Sequence, residues 1–192
     1  MCIEQATAMA TEKKEEEKPP VRVGVSTVLM NGKGEFLMGK RIGSHGANTW
    51  QFPGGHIDHG ETITECAVRE MKEETDLDVE FKGIFAVTND VFVQENKHYI
   101  TLFSLCAMKD PNAVPVLMEP HKCEGWFWKS WDDVLKIYDA AQSGASAERL
   151  FLPIENLIKQ TRNIHHLLPK KGEVLSRWLS FPDAPQVAEL EA

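Results

Sequence analysis

The chain has 192 residues, 42% of them hydrophobic, which is enough for one domain with a full-sized core and terminal extensions. Its formal net charge of −8 argues against broad nucleic-acid binding, which depends on lysine and arginine neutralising phosphates. No apolar run approaches the length that spans a membrane, and the start lacks a secretory hydrophobic segment, so we expect a cytoplasmic protein.

The two ends of the chain differ in composition from its middle. Residues 1–20 are rich in glutamate and lysine and close with two prolines, which predicts a disordered arm. We predict a folded domain over residues 21–160 and a C-terminal extension over residues 161–192, with one extra helix at 174–179. The scattered cysteines show no CxxC spacing, so we interpret Cys66 and Cys106 as buried thiols.

Strand patterns come first along the folded part. Residues 21–30 alternate as a strand does, Asn31-Gly32 is a hairpin signal, and the returning strand begins at 35–38. The later patterns predict a loop at 43–48, a strand at 50–52, a hairpin from 79–93 and 98–108, a strand at 125–128, and helices at 131–141 and 147–161. This irregular alternation favours a mixed sheet between helices over a regular parallel array.

A helix is predicted over residues 62–75. Thr62 is a suitable N-cap, and Glu65 three residues later completes a capping box. At about 100° per residue, one apolar stripe forms, which is the face such a helix would bury. The stripe consists of Ile63, Ala67 and Met71.

Acidic side chains interrupt this stripe. Glu70 and Glu74 project within it, and Glu73 lies along its edge. Like charges four residues apart repel, and burying unpaired carboxylates costs several kcal/mol per ion. A hard divalent cation such as Mg2+ would relieve both costs, because carboxylates supply the oxygen ligands that it requires. The alternative is a solvated acidic face, which does not explain why Glu70 and Glu74 share a face with Ile63 and Ala67.

The segment from Gly55 to Leu77 resembles the signature of the Nudix family, GX5EX7REUXEEXGU, where U is aliphatic. Every fixed position matches except the late glycine, which is Asp76 here. Aspartate tolerates the left-handed conformation that commonly ends a helix, so the departure affects the turn rather than the chemistry. The resemblance implies an α/β class fold, the Nudix α/β/α sandwich, with a mixed sheet between helices.

The resemblance also implies a metal site. Glu70 and Glu74 would bind Mg2+, for which Mn2+ can substitute, and Gly55 would contribute a carbonyl oxygen. Glu73 would share this ligation or serve as the general base, so Glu73 and Glu70 are the catalytic candidates. Glu124 is a further candidate ligand, because some family members carry an acid in this region. By the same resemblance, Glu61 and Arg69 would brace the loop onto the helix.

Several residues could contact substrate. Lys40 and Arg41 could grip a phosphate tail, or they could be a solvated pair. His56 could bond to substrate or be structural, and Gly54 lets the backbone come close to phosphate. The segments GKRIGSHGANTWQFPGGHIDHGE, TNDVF, NKHYITLF and EPHKCEGWFWKSW are similar to MutT-type nucleoside triphosphate diphosphatases, especially the eukaryotic purine and thiopurine subgroup.

That similarity implies a base pocket. Phe52 and His56 would border it, Thr101 would line it, and Phe151 and Leu152 would close over the base where the subgroup carries Leu-Phe-Trp-Gly. The implied function is Mg2+-dependent hydrolysis of a nucleoside triphosphate to the monophosphate and pyrophosphate, which would remove damaged nucleotides. The implied partners are small-molecule substrates, with no nucleic acid and no membrane, and the implied assembly is a homodimer.

Two alternatives stay open. The replaced Trp and Gly of the closing segment keep other diphosphates possible: dihydroneopterin triphosphate, a prenyl diphosphate, ADP-ribose or a dinucleoside polyphosphate. A non-hydrolytic nucleotide-binding module would keep the fold without the chemistry. Intact Glu70, Glu73 and Glu74 argue against this module, since an unused site would not need their repulsion.

Overall fold

Eight strands and three helices make up the fold, in a computed structural model that describes residues 18–43 and 45–168. The strands are β1 (Arg22–Leu29), β2 (Phe36–Arg41), β3 (Thr49–Gln51), β4 (Gly54–His56), β5 (Val79–Phe92), β6 (Lys97–Met108), β7 (Cys123–Lys129) and β8 (Arg149–Leu150). The helices are α1 (Ile63–Thr75), α2 (Trp131–Gln142) and α3 (Leu152–Gln160). Most of the predicted N-terminal arm and the predicted helix at 174–179 lie outside the described residues.

The strands form two mixed four-stranded sheets. The first sheet has the order β4-β1-β6-β5, in which β1 and β6 are parallel and the other pairs are antiparallel. The second has the order β7-β2-β3-β8, in which only β3 and β8 are parallel. The prediction of a mixed α/β fold is confirmed, and the structure divides the strands between two sheets.

The first predicted hairpin is only partly correct. Asn31 does form the turn, since its Oδ1 accepts bonds from the N–H groups of Lys33 at 2.9 Å and Glu35 at 3.0 Å. A single bridge joins Met30 to Phe36, after which β1 and β2 enter different sheets. Both strands are interior in their own sheets, so each finds its hydrogen-bonding partners elsewhere. The second predicted hairpin, β5 with β6, is confirmed.

Helix α1 agrees with its prediction in detail. Thr62 is the N-cap, and the reciprocal bonds with Glu65 that define a capping box are both present. Asp76 ends the helix in the left-handed conformation at φ 56°, as expected for the residue that replaces the glycine. Cys66, Ala67 and Met71 are fully buried, while Glu74 is only 8% exposed. The helix therefore buries a carboxyl group together with its apolar stripe.

Two apolar clusters place helices on both sides of the strands. One cluster contains α1 and side chains such as Val25 and Leu37; the other contains Phe36 and Phe103 with side chains of α2 and α3. Adjacent residues of β2 thus face opposite clusters, as the strand period of two requires. Cys66, Cys106 and Cys123 are buried free thiols. None of the described helices combines the length and apolar character needed to cross a membrane.

The predicted helix at 147–161 is wrong at its beginning. Arg149 and Leu150 instead form β8, which pairs in parallel with Thr49 and Trp50. Helix α3 begins only at Leu152, so that Pro153 falls in its first turn, where a missing N–H costs nothing. Phe151 lies between strand and helix, held by a bond of 2.9 Å from its N–H to the Trp50 carbonyl oxygen.

Candidate active site

A cavity of about 420 Å³ lies between β4, helix α1, the beginning of β6 and the beginning of α3. It gathers most of the residues that the sequence singled out: Arg41, Phe52, Gly54, Gly55, His56, Glu70, Glu74, Thr101 and Phe151. Four other candidates are not among its lining residues: Lys40, Glu73, Glu124 and Leu152. The volume is in the range of small-ligand pockets, which run from about 300 to 1,000 Å³.

One end of the cavity is acidic. Burial raises the pKa of Glu74 to about 8, against the opposing effect of a bond of 2.9 Å from the Gly54 N–H to Glu74 Oε2. Burial also raises the pKa of Glu70, although the Arg69 guanidinium opposes the rise from 2.8 Å. Both carboxyl groups thus lie where burial disfavours the ionised form, and a cation bound nearby would favour that form.

Arg69 connects this helix to the preceding loop. Its guanidinium bonds to Glu61 at 2.7 Å and to the His56 carbonyl oxygen at 3.1 Å, which is the bracing contact that the sequence predicted. It also contacts Glu73 at 3.0 Å, and the Glu73 side chain is 55% exposed. The bonds to Glu61 raise the pKa of Arg69. Arg69 therefore holds Glu73 away from the cavity while keeping Glu70 at its edge.

The two glycines of β4 allow the loop to lie against the acids. Gly54 has φ 142°, and a Cβ there would overlap the Val25 carbonyl oxygen. A Cβ on Gly55 would overlap the carboxylate of Glu70. Gly54 thus permits the close approach of β4 to β1, and Gly55 leaves room for the Glu70 carboxylate of α1.

Aromatic side chains form the other end of the cavity. Phe92, Tyr99, Phe151 and His45, which we call the aromatic group, have ring centroids 4.6 to 5.8 Å apart in their contacts. The Arg41 guanidinium lies 4.5 Å from the Phe151 ring centroid and contacts Gln51. Burial lowers the pKa of His45 and of His56, so both imidazoles favour the neutral form. A planar apolar portion of a ligand could pack against the surface that these rings form.

Arg41 and Lys40 have different surroundings. Arg41 lines the cavity, while Lys40 forms an ion pair of 3.4 Å with Glu124. The acid from this region whose charge acts on Glu74 is Glu119, in the loop before β7, rather than Glu124. Lys122 lines the cavity and forms an ion pair of 2.7 Å with Glu119. The sequence reasoning missed this basic residue.

Other lining residues were also missed. They include Gln51, His45, Phe92, Tyr99 and His121. A signal existed for Tyr99, because it lies two positions before Thr101 on the same strand and so shares its face. Phe92 directly ends the TNDVF segment, but its ring reaches the cavity only because β5 pairs with β6. His45 and His121 lie in loops whose course no periodicity indicates.

Comparison with known proteins identifies the fold family. Residues 20–151 match the family described as NUDIX domain. The chain belongs to the Nudix family. Its Nudix signature lies on β4, the loop that follows it and α1, and three of its fixed residues, Gly55, Glu70 and Glu74, are at the acidic end of the cavity.

Two relatives of this chain come from a plant and a bacterium. Nudix hydrolase 2 of Arabidopsis thaliana is 32% identical over 119 residues, which cover 59% of this chain and 41% of that protein. RNA pyrophosphohydrolase of Psychrobacter arcticus is 31% identical over 125 residues, which cover 57% of this chain and 70% of that protein. The chain thus spans less than half of the Arabidopsis relative.

Solved structures show the same fold. MutT protein from Methanosarcina mazei Go1 has a TM-score of 0.60 and 22% identity, covering 76% of this chain and 95% of its own. MutT NUDIX hydrolase from Burkholderia pseudomallei has a TM-score of 0.55 and 24% identity, covering 59% of this chain and 86% of its own. The predicted Nudix fold is confirmed, while the eukaryotic purine and thiopurine subgroup stays a prediction.

Nudix hydrolases generally use divalent metal ions, and the acidic end suits one. Over residues 18–43 and 45–168, no group of three or more His, Cys, Asp and Glu side chains is already arranged to hold a metal. Half-buried Glu70 and buried Glu74 nevertheless supply hard oxygen donors beside Gly55, whose added Cβ would overlap the Glu70 carboxylate. The donor set therefore fits a divalent cation, and a third carboxylate could join if Glu73 left Arg69.

Proposed function

We propose that this protein hydrolyses a nucleoside triphosphate to the monophosphate and pyrophosphate, with Mg2+ as cofactor and Mn2+ as a substitute. The observation that supports this most is the two-ended cavity, which has half-buried Glu70 and buried Glu74 at one end and the aromatic group at the other. A nucleotide has the same division into an anionic tail and a planar ring. The name of the Psychrobacter relative adds support for pyrophosphate chemistry.

The residues of the acidic end would act on the phosphates. Glu70 and Glu74 would hold the cation, with the Gly55 carbonyl oxygen beside them. When bound, the cation would screen the phosphate oxygens and polarise the P–O bond. Arg41 and Lys122 line the cavity, so we expect them, rather than Lys40, to contact phosphate oxygens. Glu73 is exposed to solvent water and would serve as the general base after leaving its ion pair with Arg69, and Glu70 is the second candidate for that role.

The ring end would hold the base. Phe52, His56 and Thr101 line it, and Phe151 contacts Phe92 at 5.3 Å between ring centroids. Pro153 and Ile154, rather than Leu152, supply the apolar surface from α3. Because Pro153 replaces a more flexible residue, the closing segment is stiff, and we expect a narrow range of accepted bases.

The deciding experiment measures product release from a substrate panel. Purified protein with Mg2+ is incubated with equal concentrations of each ribo- and deoxynucleoside triphosphate, dihydroneopterin triphosphate, a prenyl diphosphate, ADP-ribose, a dinucleoside polyphosphate and a triphosphorylated RNA. Orthophosphate is measured with and without added inorganic pyrophosphatase. Phosphate that is seen only with pyrophosphatase, from a nucleoside triphosphate, is the expected result.

Other outcomes would redirect the proposal. Orthophosphate released without pyrophosphatase, or no turnover of any nucleotide, would contradict it. Tight Mg2+-nucleotide binding without turnover would favour a binding module. We also propose a homodimer in the cytoplasm, and a monomer mass by light scattering at micromolar concentration would contradict the dimer.

A further inference from the structure

A carboxylate lies behind the cavity wall and has no place in the chemistry described so far. Asp90 on β5 is fully buried, with an exposed fraction of 0%. It lies two positions before Phe92 of the aromatic group and directly opposite Tyr99 of β6. Burying a carboxylate without partners costs several kcal/mol, so its surroundings must satisfy its oxygens.

Three side chains from three elements satisfy Asp90. The hydroxyl groups of Thr88 and Thr101 donate to its Oδ2 at 2.8 and 2.6 Å, and the Asn156 amide of α3 donates to its Oδ1 at 2.8 Å. Thr88 and Thr101 are cross-strand neighbours on β5 and β6. Of these three donors, only Thr101 lines the cavity.

This arrangement determines how Thr101 can act towards a ligand. A threonine hydroxyl carries one hydrogen and two lone pairs, and here the hydrogen is directed to Asp90. The bond of 2.6 Å is in the short range of charge-assisted O–H···O⁻ contacts, so the hydrogen is firmly held. What Thr101 offers to the cavity is therefore an acceptor and not a donor.

The position of Thr101 shows which part of a ligand would meet this acceptor. Tyr99 of the aromatic group shares its strand face, and Gly24 of β1 is its neighbour on the other side. Gly24 lies in turn against the Gly55 carbonyl oxygen, 3.6 Å from an ideal Cβ position. Thr101 thus lies between the ring end and the acidic end, where the edge of a stacked ring would reach it.

We propose that Asp90 is a positioning residue for substrate specificity: it fixes the Thr101 hydroxyl as an acceptor, which selects a base carrying an amino group or ring N–H at that edge. This inference rests on the proposed function in taking the ring to be a nucleobase. A ligand with a carbonyl or a bare ring nitrogen there would place two acceptors face to face and lose a hydrogen bond.

The test compares matched nucleotides that differ in one donor: ATP with purine riboside triphosphate, GTP with ITP, CTP with its 4-deamino analogue, and UTP with its 3-methyl derivative. Dissociation constants of the α,β-methylene forms are measured by calorimetry with Mg2+, and kcat/KM is measured for the hydrolysable forms. For at least one pair, the wild-type protein should prefer the donor-bearing member by about five- to tenfold, the worth of one hydrogen bond.

Two substitutions should remove this preference. Asp90→Asn lets the Thr101 hydroxyl turn and donate, and Thr101→Val removes the acceptor while keeping the side-chain shape. In each variant the preference should fall to within about twofold, and combining them should reduce it no further. Thr88→Val is the matched control, since it removes another hydroxyl from the same Asp90 oxygen without touching the cavity wall. It should lower stability and leave the preference intact.

The outcomes separate this inference from the proposed function. A preference that persists in Thr101→Val, or the absence of one for every pair in the wild-type protein, would overturn the role of Asp90 even if pyrophosphate is released. Binding with the expected preference but without hydrolysis would support Asp90 and contradict the proposed hydrolysis. Failure to bind any of these nucleotides would overturn both. If Asp90→Asn fails to fold, Thr101→Val and the direction of the wild-type preference decide together, because a hydroxyl free to turn would accept both members of each pair.

Discussion

The main-chain N–H of Gly54 donates a hydrogen bond of 2.9 Å to Glu74, a carboxyl group only 8% exposed. This bond joins the first residue of β4 to the last turn of α1 and is the direct link between the glycine pair and the buried acid. It favours the ionised form, yet burial outweighs it and raises the pKa of Glu74 to about 8. The fold therefore holds the Glu74 carboxyl group in place while making its ionised form unfavourable.

The pH dependence of stability follows from this pKa. Between the ordinary glutamate value of 4.5 and about 8, the folded protein binds a proton at Glu74 that the unfolded chain has released. The free energy of unfolding of the metal-free protein should therefore fall as pH rises through this window, by about 1.4 kcal/mol per unit at most. Glu70, whose pKa is also raised, acts in the same direction.

Urea unfolding with a chelator present, at intervals from pH 5 to 8.5, measures this effect. Glu74→Gln cannot ionise and should flatten the dependence, becoming more stable than the wild-type protein at the alkaline end. Added Mg2+ should restore wild-type stability at pH 8 and have little effect on Glu74→Gln. Parallel curves for the two proteins would show that Glu74 ionises freely in the folded state.

Activity should depend strongly on the same helix face. Replacing Glu70 or Glu74 with Gln removes a proposed metal ligand or base, which should lower kcat/KM by about two orders of magnitude or more. The control is Glu65→Gln on the exposed side of α1. Because glutamine also completes a capping box, this variant should keep both helix and activity. Wild-type turnover in Glu74→Gln would mean that the acids serve structure alone.

The two neighbouring glycines should respond differently to alanine. Gly54→Ala forces a Cβ into the Val25 carbonyl oxygen at a φ of 142°, and should lower the free energy of unfolding by about 2 kcal/mol or more. Gly55→Ala meets only the mobile end of Glu70, so its stability should change little. Its rate should fall by about a hundredfold, because the Glu70 carboxylate is displaced. Thermal melts and kcat/KM together distinguish these effects.

Gly24 offers a way to obstruct the cavity without damaging the fold. An added Cβ would lie at ordinary contact distances, 3.6 Å from the Gly55 carbonyl oxygen and 3.9 Å from Thr101 Oγ1. Gly24→Ala should therefore leave stability unchanged or raise it by about 0.5–1 kcal/mol, as strand glycines usually allow. Nucleotide affinity should weaken by about tenfold, measured by calorimetry. Unchanged affinity would place the ligand away from this part of the wall.

Helix α1 was predictable because every determinant is local. The Thr62 cap, the Glu65 box and the apolar stripe lie within fourteen residues, and the structure reproduces each of them. The Nudix signature includes this helix, so the same residues predicted both the family and the acidic end of the cavity. What local pattern could not show is that Arg69 draws Glu73 outward, because one guanidinium bonds at once to Glu61, to the loop and to Glu73.

Contacts between distant segments limited the rest. Lys40 and Arg41 look equivalent in the sequence, and only the sheet around β2 places Arg41 at the cavity and Lys40 beside Glu124. Asp90 stands in a strand of otherwise typical composition, and its role emerges only when β6 and α3 bring Thr101 and Asn156 to it. Arg149 and Leu150 fit a helical pattern in the sequence, and only their pairing with Thr49 and Trp50 of β3 makes them a strand.

The parallel pairing of β1 with β6 has a consequence for how the protein folds. Val25 must find Leu102 across most of the domain, with α1 and β5 lying between them in the chain. Such long-range pairing is slow to form, whereas a well-capped helix forms early. A slip of one residue in this pairing would turn Thr101 away from the ligand side. We therefore expect early refolding species in which α1 has formed and its Glu70, Glu73 and Glu74 are still exposed to water. Nucleotide binding should appear only in the last kinetic phase.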